Sequence, residues 1–308
     1  MDTPRTDRRR LDLAVGPLTF RAEVAGPEDA PVVLLLHGFP QTSHCWSAQL
    51  PGLAAAGHRA VAVDQRGYSP GARPDDPAAY AMAHLVDDVL GVIDALGVDD
   101  VDLVGHDFGG SVAWTVAGHH PERVRTLTVA STPHPGAFVR AYQASGSGSA
   151  GGSSAPGKSG RSGGSSDQNA RSGYMRTFRE TPRGQIEAGL LADGAAGLRA
   201  VFSGLPDATA EAHVEALRDP GALVAAVDWY RAMSAKASAT VPPCPVPTLY
   251  VWSDADPAIG RDAAVATEQH VTGPYRFEVL EGVGHWVPEL AADRFTGLLL
   301  EHLRSGGA

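Results

Sequence analysis

The sequence predicts an α/β fold, a mostly parallel sheet flanked by helices, with a helical cap inserted late in the chain. Three observations carry that expectation. Short apolar runs at 31–36 (PVVLLL), 59–63 (RAVAV) and 101–104 (VDLV) have the length and composition of buried parallel strands. Helical patterns separate them, roughly at 43–56 and at 80–96, where Leu85, Val89, Val92, Ile93 and Leu96 share one face. From about 172 to 236 the pattern is helical without strands, and only then does strand-and-helix alternation resume.

The remaining elements follow in order. A helix is expected after Gly109 and a strand at 124–130 (VRTLTVA). Residues 145–166 (SGSGSAGGSSAPGKSGRSGGSS) hold almost nothing that could be buried, which predicts a flexible loop. Strands at 246–252 (VPTLYVW) and 275–281 (YRFEVLE) precede a last helix. The expected division is a first core part at 1–134, a cap at 135–242 containing the loop, and a second core part at 243–308. Two phosphate-loop patterns fall in the loop, GxGxxG at 146–151 and GxxxxGKS at 152–159. Each needs a strand feeding it and a helix leaving it to aim backbone N–H groups at a phosphate, and here Ser and Gly lie on both sides. Nucleotide binding is not expected.

Composition narrows the function classes. The 308 residues carry 35 acidic against 25 basic side chains, a net charge of −10, which gives no footprint for nucleic acid or an anionic membrane surface. The run Arg8–Arg10 is flanked by Asp7 and Asp12 and no apolar region follows it, so a solvated N-terminal tail is expected rather than a targeting signal. No apolar stretch is long enough to span a bilayer, and Cys45 and Cys244 make neither a disulfide framework nor a cysteine zinc site. A cytoplasmic protein needing no metal or organic cofactor is expected, with the oligomeric state open and a homodimer among the options.

The most informative string is VDLVGHDFGGSVAW at 101–114, an apolar strand, a tight Gly-rich turn and a helix. Such a turn lifts one side chain above the end of the sheet, and here that residue is Asp107. Serine at this place attacks acyl carbon; an ionised carboxylate suits displacement at sp³ carbon, giving an ester that water can then cleave. Ser111 as an esterase nucleophile would sit inside the following helix rather than at the apex. HGFP at 37–40 ends another core strand, where the amides of Phe39 and Phe108 are the candidate oxyanion-hole donors. Among 12 histidines, His285 in GVGHW stands out because it follows the last expected strand, and imidazole suits a general base for water. Its partner acid is expected in WSDADP at 252–257, with Asp256 chosen and Asp254 the alternative.

HGFP, GHDFGG and GVGHW, in this order and at this spacing, resemble the epoxide hydrolases of the α/β-hydrolase superfamily, relatives of the haloalkane and haloacid dehalogenases. The resemblance covers 31–134 and 243–303 and, more loosely, the cap. It implies an α/β-hydrolase fold and opening of a small apolar epoxide by water through an ester on Asp107, cleaved with His285 as base. It also implies two cap tyrosines that hold the epoxide oxygen and protonate the alkoxide; Tyr174 in SGYMRTFRETP and Tyr230 in DWYRAM match those segments. Haloalkane dehalogenases place a Trp directly after the nucleophile, whose ring N–H solvates the halide, and this chain has Phe108. Many epoxide hydrolases carry Trp there too, but they need only its backbone N–H. Fluoroacetate-type dehalogenases usually carry an Arg there, also missing. Dehalogenation with the same aspartate is the runner-up, and a non-catalytic ligand-binding protein on this fold is the reading from another class.

Overall fold

The computed structural model describes residues 8–147 and 167–306. Eight strands form one sheet: β1 (Arg9–Val15), β2 (Leu18–Ala25), β3 (Val32–Leu36), β4 (Arg59–Val63), β5 (Val101–His106), β6 (Val124–Ala130), β7 (Thr248–Ser253) and β8 (Tyr275–Leu280). Their spatial order is β1-β2-β4-β3-β5-β6-β7-β8. β3 to β8 run parallel, whereas β1 pairs antiparallel with β2 and β2 with β4. The chain leaves β3 for β4 on one side and returns to pair β5 on the other. The carboxyl ends of β3 and β5 therefore flank a topological switch point, where open α/β sheets place their crevice.

Both faces of the sheet are covered. Along β3, Val32, Leu34 and Leu36 enter one apolar cluster and Val33 and Leu35 the other, as the two-residue repeat of a strand demands. α1 (Gln49–Ala55) packs Leu50 and Leu53 into the second cluster, while α2 (Met82–Ala95) and α3 (Phe108–His119) fill the first. Between β6 and β7 lie α4 (Pro135–Ser147), α5 (Gln168–Arg171), α6 (Gly173–Glu180), α7 (Gln185–Val201), α8 (Asp207–Leu217), α9 (Pro220–Arg231) and α10 (Ala235–Ala239). α7 is broken at Ala192–Ala195, where the backbone leaves helical angles. After β7 come α11 (Arg261–Ala266), α12 (Val287–Leu290) and α13 (Ala292–Gly306), the last returning Phe295, Leu299 and Leu303 to the second cluster. Among the described residues no helix is long and apolar enough to cross a membrane.

Several expectations need correction. Arg9 and Arg10 are not a tail but the start of β1, an edge strand whose outer side chains stay exposed. The strand expected at 246–252 starts at Thr248, just past Pro247, a residue with no N–H to give a ladder. The helix expected at 43–56 is a 3₁₀ turn, Ser43–Trp46, followed by α1, whose Pro51 sits in the first turn where a missing N–H is harmless. The expected loop at 145–166 lies outside the described residues except for 145–147, which finish α4, and the two phosphate-loop patterns at 146–151 and 152–159 fall almost wholly outside them.

Candidate active site

β5 ends at His106, so Asp107 stands alone between a strand and α3, with φ 50° and ψ −121°. That conformation is costly for a residue with a Cβ and persists only where its surroundings fix it. Here they do. A side chain on Gly38 would collide with the Asp107 carboxylate, and one on Gly109 would meet the carbonyls of Leu36 and His37. Close approach of α3 and the β3 loop thus requires glycine at both places. The Thr132 hydroxyl donates to the Asp107 carbonyl at 2.7 Å. The Phe39 amide, next to the cis Phe39–Pro40 bond, donates to Asp107 Oδ1 at 2.8 Å, and the Phe108 amide also bonds the carboxylate.

The other oxygen faces a histidine. Asp107 Oδ2 lies 3.4 Å from His285 Nε2, and His285 Nδ1 lies 2.8 Å from Asp256 Oδ2. Asp256 is held in turn, because its Oδ1 accepts from the amides of Ala258 at 2.7 Å and Ile259 at 3.2 Å. Asp254, the alternative acid, is exposed and accepts instead from the Gly282 amide. Burial opposes charge on His285, but the Asp256 carboxylate, the bonds to Asp107 and Asp256, and the Asp107 charge outweigh it, raising its pKa to about 10. Burial likewise opposes charge on Asp107, and its bond to His285 with the charge there overcomes this and holds the carboxyl below its usual value. The pair rests as imidazolium and carboxylate.

Above Asp107 the helices inserted between β6 and β7 bring Tyr174 of α6 and Tyr230 of α9 together, hydroxyl to hydroxyl, with ring centroids 6.0 Å apart. Tyr230 is buried among Phe39, Phe108 and Phe178, whose rings meet it edge-on at 5.0, 5.3 and 5.2 Å. Tyr174 keeps 39% of its surface exposed, so its ring flank is wet while its hydroxyl turns inward. Burial raises the pKa of both phenols, which stay protonated. Asp107, Tyr174 and Tyr230 all line cavities of about 480 and 620 Å³, and His285 lines the larger. Ser111 lies one turn into α3, its amide bonded to the Asp107 carbonyl, while His285 faces the two aspartates. Among the described residues no group of three or more His, Cys, Asp or Glu is arranged to hold a metal ion.

Sequence reasoning gave no role to a buried polar chain beneath His285. His106 Nε2 donates to the His285 carbonyl at 2.9 Å, and its Nδ1 lies 2.7 Å from the Gln41 amide group. Gln41 reaches the Glu289 carboxyl at 2.6 Å, and Glu289 meets His213 Nε2 at 2.8 Å; the Thr42 amide donates to His213 Nδ1. Burial lowers both histidines to about 4 and pushes Glu289 up to about 8. One assignment satisfies every bond: the Gln41 amide turned so that its NH₂ meets His106, and a neutral Glu289 donating to its carbonyl. A second support grips the Asp256 loop, where Arg171 donates to the Asp256 carbonyl and buried Gln168 bonds both the Ala258 carbonyl and the Gly260 amide. Adjacency to HGFP and to Asp107 was the only signal for Gln41 and His106, and His213 and Glu289 had none.

The family model for the alpha/beta hydrolase fold matches residues 31–149. Mouse epoxide hydrolase 3 is 30% identical over 271 residues, covering 86% of this chain and 68% of that protein. Epoxide hydrolase A of Mycobacterium tuberculosis is 29% identical over 326 residues, covering 92% and 94%. Among solved structures, epoxide hydrolase A from Mycobacterium thermoresistibile is similar with a TM-score of 0.78 over 97% of this chain and 98% of that one; at 24% identity this speaks to the fold.

Proposed function

The chain belongs to the epoxide hydrolase family of the α/β-hydrolase superfamily, and from that premise we propose that it opens an apolar epoxide to a vicinal diol in two steps. The helices between β6 and β7 serve as the cap, and the observation that carries the reading is the pair of protonated cap phenols, Tyr174 and Tyr230, facing Asp107. Ring opening produces an alkoxide, a poor leaving group without a proton donor, and a phenol at hydrogen-bond range supplies one. A halide leaves as a stable anion and needs N–H donors instead. The Phe108 ring has none, and Trp229 Nε1 already donates to the Arg66 carbonyl at 2.9 Å.

In the first step Asp107 Oδ2 attacks an epoxide carbon from the side opposite the C–O bond. The C–O bond breaks, the alkoxide takes a tyrosine proton, and Asp107 becomes a neutral ester. Loss of that charge removes one of the two carboxylates that raise His285, so the imidazolium gives up its proton, restoring the phenol, and becomes a base. In the second step His285 Nε2 takes a proton from water as the water oxygen attacks the Asp107 carbonyl carbon. Charge develops on Oδ1, which the Phe39 amide faces at 2.8 Å, and the Phe108 amide is the second donor of the proposed oxyanion hole. Collapse breaks the bond from that carbon to Oδ2, the departing oxygen takes the proton left on the incoming hydroxyl, and the diol leaves with Asp107 again a carboxylate and His285 again an imidazolium. Asp256 holds the His285 tautomer throughout.

The test is to trap the ester. His285→Gln, incubated with an epoxide panel and separately with a haloalkane panel, is expected to gain the full mass of an epoxide on the peptide containing Asp107. An alkyl gain from haloalkanes alone moves the assignment to dehalogenation, and folded protein with no label from either panel sinks the covalent mechanism.

A further inference from the structure

The eight-stranded sheet ends on β8, and the bonds of that strand show which of its backbone groups face outward. The Thr248 amide donates to the Pro274 carbonyl at 2.8 Å and the Asp254 amide to the Leu280 carbonyl at 3.3 Å. In a parallel pair of this register, residues 276, 278 and 280 turn N–H and C=O toward β7, and Tyr275, Phe277 and Val279 turn theirs away. Exposed Arg294 agrees with this, reaching the Val279 carbonyl from outside at 3.5 Å. The opposite edge of the sheet, β1, is blunted by the exposed charges Arg9, Arg10 and Asp12. β8 instead carries Tyr275, Phe277 and Val279, packed part-way onto the first apolar cluster. Its alternate face bears two charges of opposite sign, Arg276 and Glu278, 2.8 Å apart.

We propose that β8 pairs antiparallel with β8 of a second copy of this chain about a two-fold axis at Phe277, which continues the sheet across a homodimer. Two-fold pairing requires a surface complementary to itself, and this strand is one. With Phe277 opposite the partner's Phe277 and Tyr275 opposite the partner's Val279, the outward N–H and C=O groups exchange both bonds at each place. Between these places lie the closer, non-hydrogen-bonded positions, where Arg276 faces the partner's Glu278 and Glu278 faces the partner's Arg276. Moving the axis loses this match. An axis at Arg276 or Glu278 sets like charges directly opposite, and one at Tyr275 or Val279 draws Arg276 away from the partner's Glu278. The long contact from Arg294 yields the Val279 carbonyl to the partner's Tyr275 amide.

Sedimentation equilibrium of the full chain is expected to show a mass that rises with concentration from 32.0 kDa to twice that value. Arg276→Glu and Glu278→Arg each place like charges at both close positions, so each is expected to raise the dimer dissociation constant at least about tenfold at low salt. Mixed in equal amounts, the two variants should pair with each other more tightly than either pairs with itself, and the double reversal should restore self-pairing. Asp12→Arg on β1 should leave the dimer unchanged. The two β8 side chains are 40% and 28% exposed, so these variants are expected to keep the wild-type circular dichroism spectrum. As the dimer forms, hydrogen exchange at the Tyr275, Phe277 and Val279 amides should slow, a readout that does not depend on the charges. A chain that stays at 32.0 kDa into the millimolar range overturns the proposal, including one whose β8 takes a strand from another protein. So does a dimer indifferent to either reversal, a pair of variants that ignore each other, or exchange that slows elsewhere but not on β8.

Discussion

At the scale of single residues, the site is organised by the unequal surroundings of one carboxylate. Asp107 Oδ1 accepts from the Phe39 amide and Oδ2 faces an imidazolium, so the residue is oriented before any ligand arrives. The same arrangement fixes a stability signature. His285 has its folded pKa raised to about 10, against about 6.5 in an unfolded chain. Its charged ring therefore contributes its full stabilisation below about pH 6.5, and that contribution is lost as pH rises through about 10. In urea unfolding, the advantage of the wild type over His285→Gln is expected to shrink steadily across that interval. An advantage that grew with pH would contradict the imidazolium assignment. The positions of Asp107, His285 and Asp256 were legible because each lies in a turn just past the carboxyl end of a parallel strand. Choosing between Asp254 and Asp256 needed the direction of two side chains two residues apart, which the sequence leaves open.

At the scale of elements, supports from α5, α8 and α12 converge on the loops bearing the site. None of them was legible, because a hydrogen-bonded chain joining residues 41, 106, 213 and 289 has no local pattern. The β1–β2 hairpin escaped for a different reason: its strands alternate polar and apolar residues at an edge, whereas continuous apolar runs mark the buried strands. The polar chain predicts an unusual substitution. If Glu289 is neutral, Glu289→Gln reproduces its donor and acceptor, while Glu289→Leu strands the His213 N–H at a cost of about 1–3 kcal/mol. The Glu289 carboxyl, raised by burial to about 8, binds a proton that the unfolded chain releases near pH 4.3, so wild-type stability falls across that interval. Glu289→Gln should therefore be the more stable protein at pH 7, with its margin widening from about pH 4.5 to 8. A urea midpoint below wild type at pH 7 would show that Glu289 is ionised.

At the scale of the whole molecule, one sheet separates two cores while joining them. Leu34 and Leu35 are neighbours in sequence and fully buried, yet they enter different clusters. Each Leu→Ala change is expected to cost about 2–5 kcal/mol. Because the two side chains share no partners, the double variant should lose the sum to within about 0.5 kcal/mol despite adjacency. Strong non-additivity in denaturant titrations would mean that strain crosses the sheet through the backbone of β3. This division was legible from the start, since PVVLLL has no polar face to turn toward water.

The unequal grip on Asp107 also gives its two oxygens different fates. In the proposed cycle Oδ2 departs inside the diol and a water oxygen takes its place, whereas Oδ1 never leaves the Phe39 amide that holds it. The enzyme would thus spend an atom of its own on the first molecule it converts and refill the position from solvent ever after. Run in heavy-oxygen water, the first equivalent of diol should emerge light and all later ones heavy, while Asp107 carries one heavy oxygen and never two. A second heavy atom would reveal that the carboxylate turns over between cycles.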